Sequence, residues 1–373
     1  EESPVGRASD PTAAFMAANP SVKTPEQVFV FAGADAGTVT AALEAFEAGE
    51  DFAEAARASW AAAKGVGPAR LAIVAADAAE LAKKTEAAKK ALAKPGATSV
   101  QTRTGIYFEA APLEGKIAFL FPGEMGQYTD MLKDAAMAMP AIRDWFGDIA
   151  RLTETRREVR LQDVIYPPGT MLTDADRAHL DGLMHQVDYG SEMVFAADQA
   201  ICEILRSLGV KPDAMLGHST GENAALVASG LLDLDRAGVC QMVADMNKVF
   251  DETAAEGQVE GGVLMTVAAL EREKLDALRK DFDDIHFTMD NCPNQAILFG
   301  VKDRIDALEA LVVAEGAVCT RLPISWGYHT EYVRPMAEGF RKLFDRVQKR
   351  ETDVTLWSCA TAQPFPEDRE AAL

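Results

Sequence analysis

The chain has 373 residues, 48% of them hydrophobic and 25% charged, a globular balance with room for two or three cores. A formal net charge of −21 has the wrong sign for a nucleic-acid backbone or an anionic bilayer surface, and no run reaches the roughly 18 apolar residues of a membrane span. Glu1-Glu2-Ser3-Pro4 lacks the features of a secretory signal, so a cytoplasmic setting is expected.

Five cysteines (Cys202, Cys240, Cys292, Cys319 and Cys359) are odd in number and lack metal-like spacing. They read as reduced structural thiols, with no metal site expected.

Residues 1–24 have no sustained periodicity and read as a flexible arm. Val28 to Phe31 has the pattern of a buried strand, Val39 to Glu50 and Phe52 to Lys64 of helices, Arg70 to Ala75 of a strand, and Asp77 to Leu92 of a helix. This alternation predicts a small α/β unit over 25–110 with no cluster of catalytic residue types. A larger unit over 111–259 opens at Ile117-Ala118-Phe119-Leu120-Phe121, apolar on both faces and expected inside a parallel sheet. A helix from Ser191 to Leu208 follows, then a short strand from Asp213 to Gly217, then a helix from Glu222 to Ser229. Over 260–322 the pattern becomes β-α-β-β-α-β, a ferredoxin-like insertion. The chain returns to the larger unit over 323–373, with a strand from Pro323 to Tyr328 and a helix from Glu331 to Asp345.

Gly217-His218-Ser219-Thr220-Gly221 fits G-x-S-x-G with a strand before it and a helix after it. Such a turn exposes the serine hydroxyl near backbone N–H groups at a helix start, where negative charge is stabilised. The serine needs a base. His218 is its neighbour and should point away. His179 and His185 flank an irregular acidic stretch, and His286 opens a strand of the insertion. His329 lies 110 residues beyond Ser219, where the chain re-enters the larger unit. Residue type alone leaves base and surface histidine equally open for it.

Ala118 to Gly123 with Gln127, then Gly217 to Glu222, then Asn291-Cys292-Pro293 with Gln295, then Ser325 to His329, stand in the order of a known family. The chain resembles the malonyl-CoA:acyl carrier protein transacylases, in particular the acyltransferase domains of iterative type I polyketide synthases of the enediyne and polyunsaturated fatty-acid type. Residues 25–110 then resemble the linker that follows a ketosynthase. The resemblance implies an α/β-hydrolase-like large subdomain carrying the ferredoxin-like small one, and a mostly dry cleft between them.

It further implies ping-pong transfer of a malonyl unit from malonyl-CoA, through an ester on Ser219, to the phosphopantetheine thiol of an acyl carrier protein. No permanently bound cofactor is implied. The partners would be that carrier, a coenzyme A thioester and a ketosynthase of the same polypeptide. His329 would be the base, and the backbone N–H groups of Glu124 and Thr220 would form the oxyanion hole. Gln127, His218, Asn291, Met246, Asn247, Trp326, Tyr328 and Ser191 would bind substrate.

Three departures from the family stand out. Gly123-Glu124-Met125-Gly126-Gln127 replaces the usual G-Q-G-x-Q, which sets an added charge near the hole. Met246 stands where an arginine meets the malonyl carboxylate, leaving the neutral donors Asn247, Gln127, Trp326 and Tyr328, access to solvent, or an uncharged acyl group. No later segment supplies the carbonyl that orients the histidine. A serine esterase or thioesterase and a non-catalytic docking domain remain the alternatives.

Overall fold

The computed structural model describes residues 26–154, 157–169, 172–253, 262–323 and 326–366. The expected arm over 1–24, together with Ile324 and Ser325, lies outside them. The chain divides into two units between Lys116 and Ile117.

In the first unit, β1 (Gln27–Gly33) is followed by α1 (Ala36–Glu44), α2 (Phe52–Ala63), β2 (Ala69–Ala75), α3 (Ala78–Leu92), β3 (Ser99–Gln101) and β4 (Ile106–Glu109). All three helices start the same way. Asp35, Asp51 and Asp77 each accept the backbone N–H three residues on, satisfying a donor that the first turn leaves open. On β2 the side chains of Ala69, Leu71, Ile73 and Ala75 alternate into the core. The sheet order is β1-β2-β4-β3, antiparallel throughout. The helix expected to run to Glu50 stops at Glu44, and Phe46 turns inward to set its ring edge-on to Phe29 and Phe31.

The second unit opens with β5 (Ala118–Phe121), then α4 (Lys133–Ala138), α5 (Pro140–Thr153), α6 (Leu161–Ile165), α7 (Asp174–Met184), α8 (Val187–Ser207), β6 (Ala214–Gly217), α9 (Gly221–Ala228) and α10 (Arg236–Thr253). β5, β6 and β11 (Thr355–Ser358) run parallel, and β12 (Gln363–Pro364) pairs antiparallel with β11. The order β12-β11-β6-β5 leaves β5 at the edge. The expectation that this strand is covered on both faces is therefore corrected: Phe121 is buried, but Leu120 is 71% exposed. The core of this part lies where Ile142 and Ile149 of α5 meet Met193 of α8 and Met215 of β6.

Between α10 and the return segment lies β7 (Gly262–Ala268), α11 (Arg272–Leu278), β8 (His286–Cys292), β9 (Gln295–Val301), α12 (Lys302–Ala314) and β10 (Val318–Arg321). The order β10-β7-β9-β8, all antiparallel, is the ferredoxin-like arrangement, with its own core around Leu298, Ile305 and Leu308.

A second correction falls just beyond it. The strand expected up to Tyr328 is not formed: Trp326 keeps a single β-bridge, and the chain turns at Tyr328 and His329. The helix expected from Glu331 is a short 3₁₀ turn (Glu331–Val333), then α13 (Arg334–Phe344) with Pro335 in its first turn. Proline is preset for that position because the N–H it lacks has no helical partner there.

Candidate active site

Ser219 sits between β6 and α9 with φ +55°, a left-handed backbone that a serine adopts only when its surroundings impose it. The surroundings do so by close approach. A Cβ on Gly221 would collide with the carbonyl oxygens of Phe121 and Pro122, and one on Gly123 would lie 2.5 Å from His218 O. Glycine at these points lets the end of β5 pass against the turn. The His218 N–H donates to Phe121 O at 2.9 Å, tying the turn to the same strand.

From below, the C-terminal strand grips the turn. Cys359 N–H donates to Glu222 Oε1 at 2.7 Å, and its thiol donates to Gly217 O at 2.9 Å. Desolvation raises the Glu222 carboxyl, and the Cys359 N–H opposes that rise.

Ser219 Oγ lies 2.9 Å from His329 Nε2. His329 also has a positive φ, +54°, so the turn rather than a strand end aims its ring. Desolvation and then the nearby His218 hold the imidazole below its ordinary value, even though one side of it reaches solvent. It is therefore neutral and able to accept a proton near neutral pH. Among the described residues, the hydrogen bond made by this ring is the one to Ser219. The Nε2 of His218 lies 2.9 Å from Asn291 Oδ1 on β8 of the small subdomain.

The Glu124 N–H donates to Thr220 Oγ1 at 3.1 Å, which places both backbone groups beside the serine. An oxyanion would take over that donor from the hydroxyl.

Next to the turn is a pocket lined by Glu124, Ser191, Thr220, Asn223, Asn247 and Tyr328, with an apolar wall from Val187, Phe195, Val243, Met246, Phe250, Met336 and Phe340. Among the described residues, no lysine, arginine or histidine lines it. Met246 is part of that wall, while Lys248 points outward beside Glu252. Besides His218 and Asn291, three further expected binding residues stand elsewhere or are already engaged. Gln127 is buried outside the pocket, donating from Nε2 to Met184 O (2.9 Å) and accepting the Met125 N–H at Oε1 (2.8 Å). Asn247 Nδ2 donates to Glu192 Oε1. Trp326 packs on Phe250 with ring centres 4.8 Å apart and lines a neighbouring groove with Asp251.

Glu124, expected to add a charge near the hole, has a partly buried side chain. Desolvation, followed by Asp188, pushes its carboxyl up to about 7, against a lowering contribution from Tyr328. Oε1 is buried without a well-formed hydrogen bond, and so is the Tyr328 hydroxyl beside it.

Sequence reasoning also missed what stands behind the pocket. Glu192 is fully buried on α8 and contacts Arg157 Nη1 at 2.7 Å, and Arg157 also stacks 4.3 Å from the Tyr189 ring centre. Desolvation outweighs the arginine and pushes Glu192 to about 7. Arg157 lies in the charged run Thr153-Glu154-Thr155-Arg156-Arg157-Glu158, which has the pattern of a solvated face and gives no sign of burial. Among the described residues no group of His, Cys, Asp or Glu is placed to hold a metal ion, and no helix is long and apolar enough to cross a membrane.

Residues 118–372 match the model of the acyl transferase domain family. The chain is 25% identical over 259 residues to a type I phenolphthiocerol synthesis polyketide synthase of Mycobacterium marinum, covering 69% of this chain but 11% of that one. It is 26% identical over 258 residues to the malonyl CoA-acyl carrier protein transacylase of Bacillus subtilis, covering 68% of this chain and 75% of the relative. Among solved structures, the acyltransferase domain of an iterative polyketide synthase in enediyne biosynthesis superposes with a TM-score of 0.63 at 21% identity. That superposition covers 93% of this chain and 78% of the other.

Proposed function

Because the chain belongs to the acyl transferase domain family, we propose that it transfers a malonyl unit from malonyl-CoA to the phosphopantetheine thiol of an acyl carrier protein. The observation that carries this reading is the 2.9 Å contact between Ser219 Oγ and His329 Nε2 on two turns held at positive φ. As Oγ attacks the thioester carbonyl, Nε2 takes its proton, and the Glu124 and Thr220 N–H groups face the oxyanion. The intermediate collapses to the serine ester, and the coenzyme A thiolate leaves with the proton from His329. The carrier thiol then attacks the ester, its proton passes to Nε2, and collapse returns that proton to Ser219.

Residues 25–110 we assign to a ketosynthase–acyltransferase linker of an iterative synthase of the enediyne or polyunsaturated fatty-acid type, acting in the cytoplasm. The superposition with the enediyne-synthase domain covers 93% of the chain, which supports this assignment for the first unit. Tyr328, half-buried in the pocket wall, would disfavour α-branched acyl units.

Incubation with malonyl-CoA followed by intact-mass measurement tests the reading. A gain of one malonyl group, lost on adding a holo carrier protein, is the expected result. Free malonate without an adduct marks a hydrolase instead, and no adduct from any acyl-CoA marks a non-catalytic docking domain.

A further inference from the structure

A malonyl thioester brings a carboxylate into a pocket that, among the described residues, offers it no cation. Lys248 faces away, Asn247 is held by Glu192 and Gln127 is engaged outside the pocket. Arg157 stands behind Glu192, already paired. What the pocket does present is an acid. Glu124 enters it from the loop after β5, directly beside the nucleophile, with a buried oxygen that lacks a well-formed hydrogen bond. The Tyr328 hydroxyl next to it is in the same condition.

We propose that Glu124 in its protonated form is the specificity residue of this pocket, its carboxylic O–H donating to the carboxylate of the bound acyl unit alongside the Tyr328 hydroxyl. This rests on the transferase reading above. A neutral acid donating to a carboxylate makes a short, charge-assisted hydrogen bond. An ionised Glu124 would instead place two like charges in one apolar space, where only one of them can stay ionised. The malonyl carboxylate keeps its charge, and Glu124 keeps the proton.

The titratable groups facing Glu124 are Tyr328, from the turn before His329, and Asp188 of α8. α9, α10 and α13 present only neutral residues to the pocket: Asn223, Val243, Met246, Asn247, Phe250, Met336 and Phe340. With its carboxyl at about 7 in the free protein, Glu124 changes state within the working range of an acyl-transfer assay.

The test compares kcat/KM for loading of malonyl-CoA and acetyl-CoA between about pH 6 and about pH 8.5. Both rates share the neutral-His329 requirement, so their ratio cancels it. The ratio should fall about 30-fold across that range, because kcat/KM follows the protonated fraction of the free enzyme. The fall in kcat should lie at higher pH, since the bound carboxylate raises Glu124 further. Glu124→Gln carries a donor that does not titrate, and its ratio should be flat.

A pH-independent ratio in the native protein overturns the proposal, and so does an unchanged slope in Glu124→Gln. Should that variant fail to fold, the native ratio decides alone. If neither thioester forms an adduct, the transferase reading itself fails and takes this inference with it. If adducts form without the slope, only this inference fails.

Discussion

The nucleophile turn and the acyl pocket touch at Glu124 and Thr220, yet they are built on different principles. The turn is a matter of backbone. Gly123, Gly217 and Gly221 let strands and loop approach closely, and a positive φ at Ser219 and at His329 aims two side chains at each other. The pocket is a matter of side chains, drawn from the loop after β5 and from α8, α9, α10 and α13. A turn of this kind tolerates almost no change in its glycines but leaves substrate choice open. A pocket of this kind sets substrate choice and can be altered in steps.

The comparison breaks most visibly at the reacting atoms. Ser219→Ala should abolish the malonyl adduct, with transfer down by roughly 10⁴-fold or more. His329→Ala should lower the acylation rate by about 10²- to 10⁴-fold with the fold intact, as read by stopped-flow release of coenzyme A. Unchanged acylation in His329→Ala would remove the base from the mechanism.

The next effect tests the backbone itself. Gly221→Ala places a methyl group against the Phe121 and Pro122 carbonyls, which belong to the main chain and cannot swing aside. We expect a loss of roughly 3 kcal/mol in denaturant unfolding, together with loss of loading. Wild-type stability in this variant would mean that the turn is not packed as described.

The same division explains what could be read from the chain beforehand. The turn was legible because its constraints are local: five consecutive residues announce the strand, the tight bend and the helix, and the ferredoxin-like insertion shows itself in its order of periods. The burial of Glu124 was not legible, because the elements that desolvate it lie scattered along the chain from Val187 to Phe340. Arg157 was hidden for the same reason, since a charged run becomes a buried ion pair only when α8 closes over it. β5 misled in the opposite direction. Its unbroken apolar run matched a covered strand, while the sheet order leaves it at an edge. Periodicity reports which residues prefer burial, but not whether a neighbour arrives to bury them.

Buried carboxyls also leave a mark on stability, which any pH experiment on the pocket must be measured against. Glu124 and Glu192 are pushed to about 7, and Asp198 of α8 is pushed to about 8 by desolvation alone. In the unfolded chain all three ionise near pH 4. The folded state therefore holds their protons more tightly, and the stability present below pH 4 is lost as pH rises through about 7 and then about 8. Asp198→Asn removes one of these titrations. It should stabilise the protein by up to about 5 kcal/mol at about pH 8.5 and leave it nearly unchanged at about pH 4. Equal effects at both pH values would mean that Asp198 is not the group responsible.

The smallest expected effect separates the two walls of the pocket from each other. The Tyr328 hydroxyl is buried without a well-formed hydrogen bond, so Tyr328→Phe removes a polar atom without orphaning a defined partner, and stability should change by less than about 1 kcal/mol. Its influence on Glu124 is the larger matter. Tyr328 holds the Glu124 carboxyl lower than it would otherwise be, opposing desolvation and Asp188. Without that hydroxyl the carboxyl stays protonated to higher pH, and the fall in the malonyl-to-acetyl ratio should move upward while its slope is kept. At low pH the same variant loses one of two donors to the substrate carboxylate, so malonyl loading should drop by about tenfold relative to acetyl. A shift of the limb without that drop would leave Glu124 as the sole donor. A drop without the shift would assign the hydroxyl to the substrate alone.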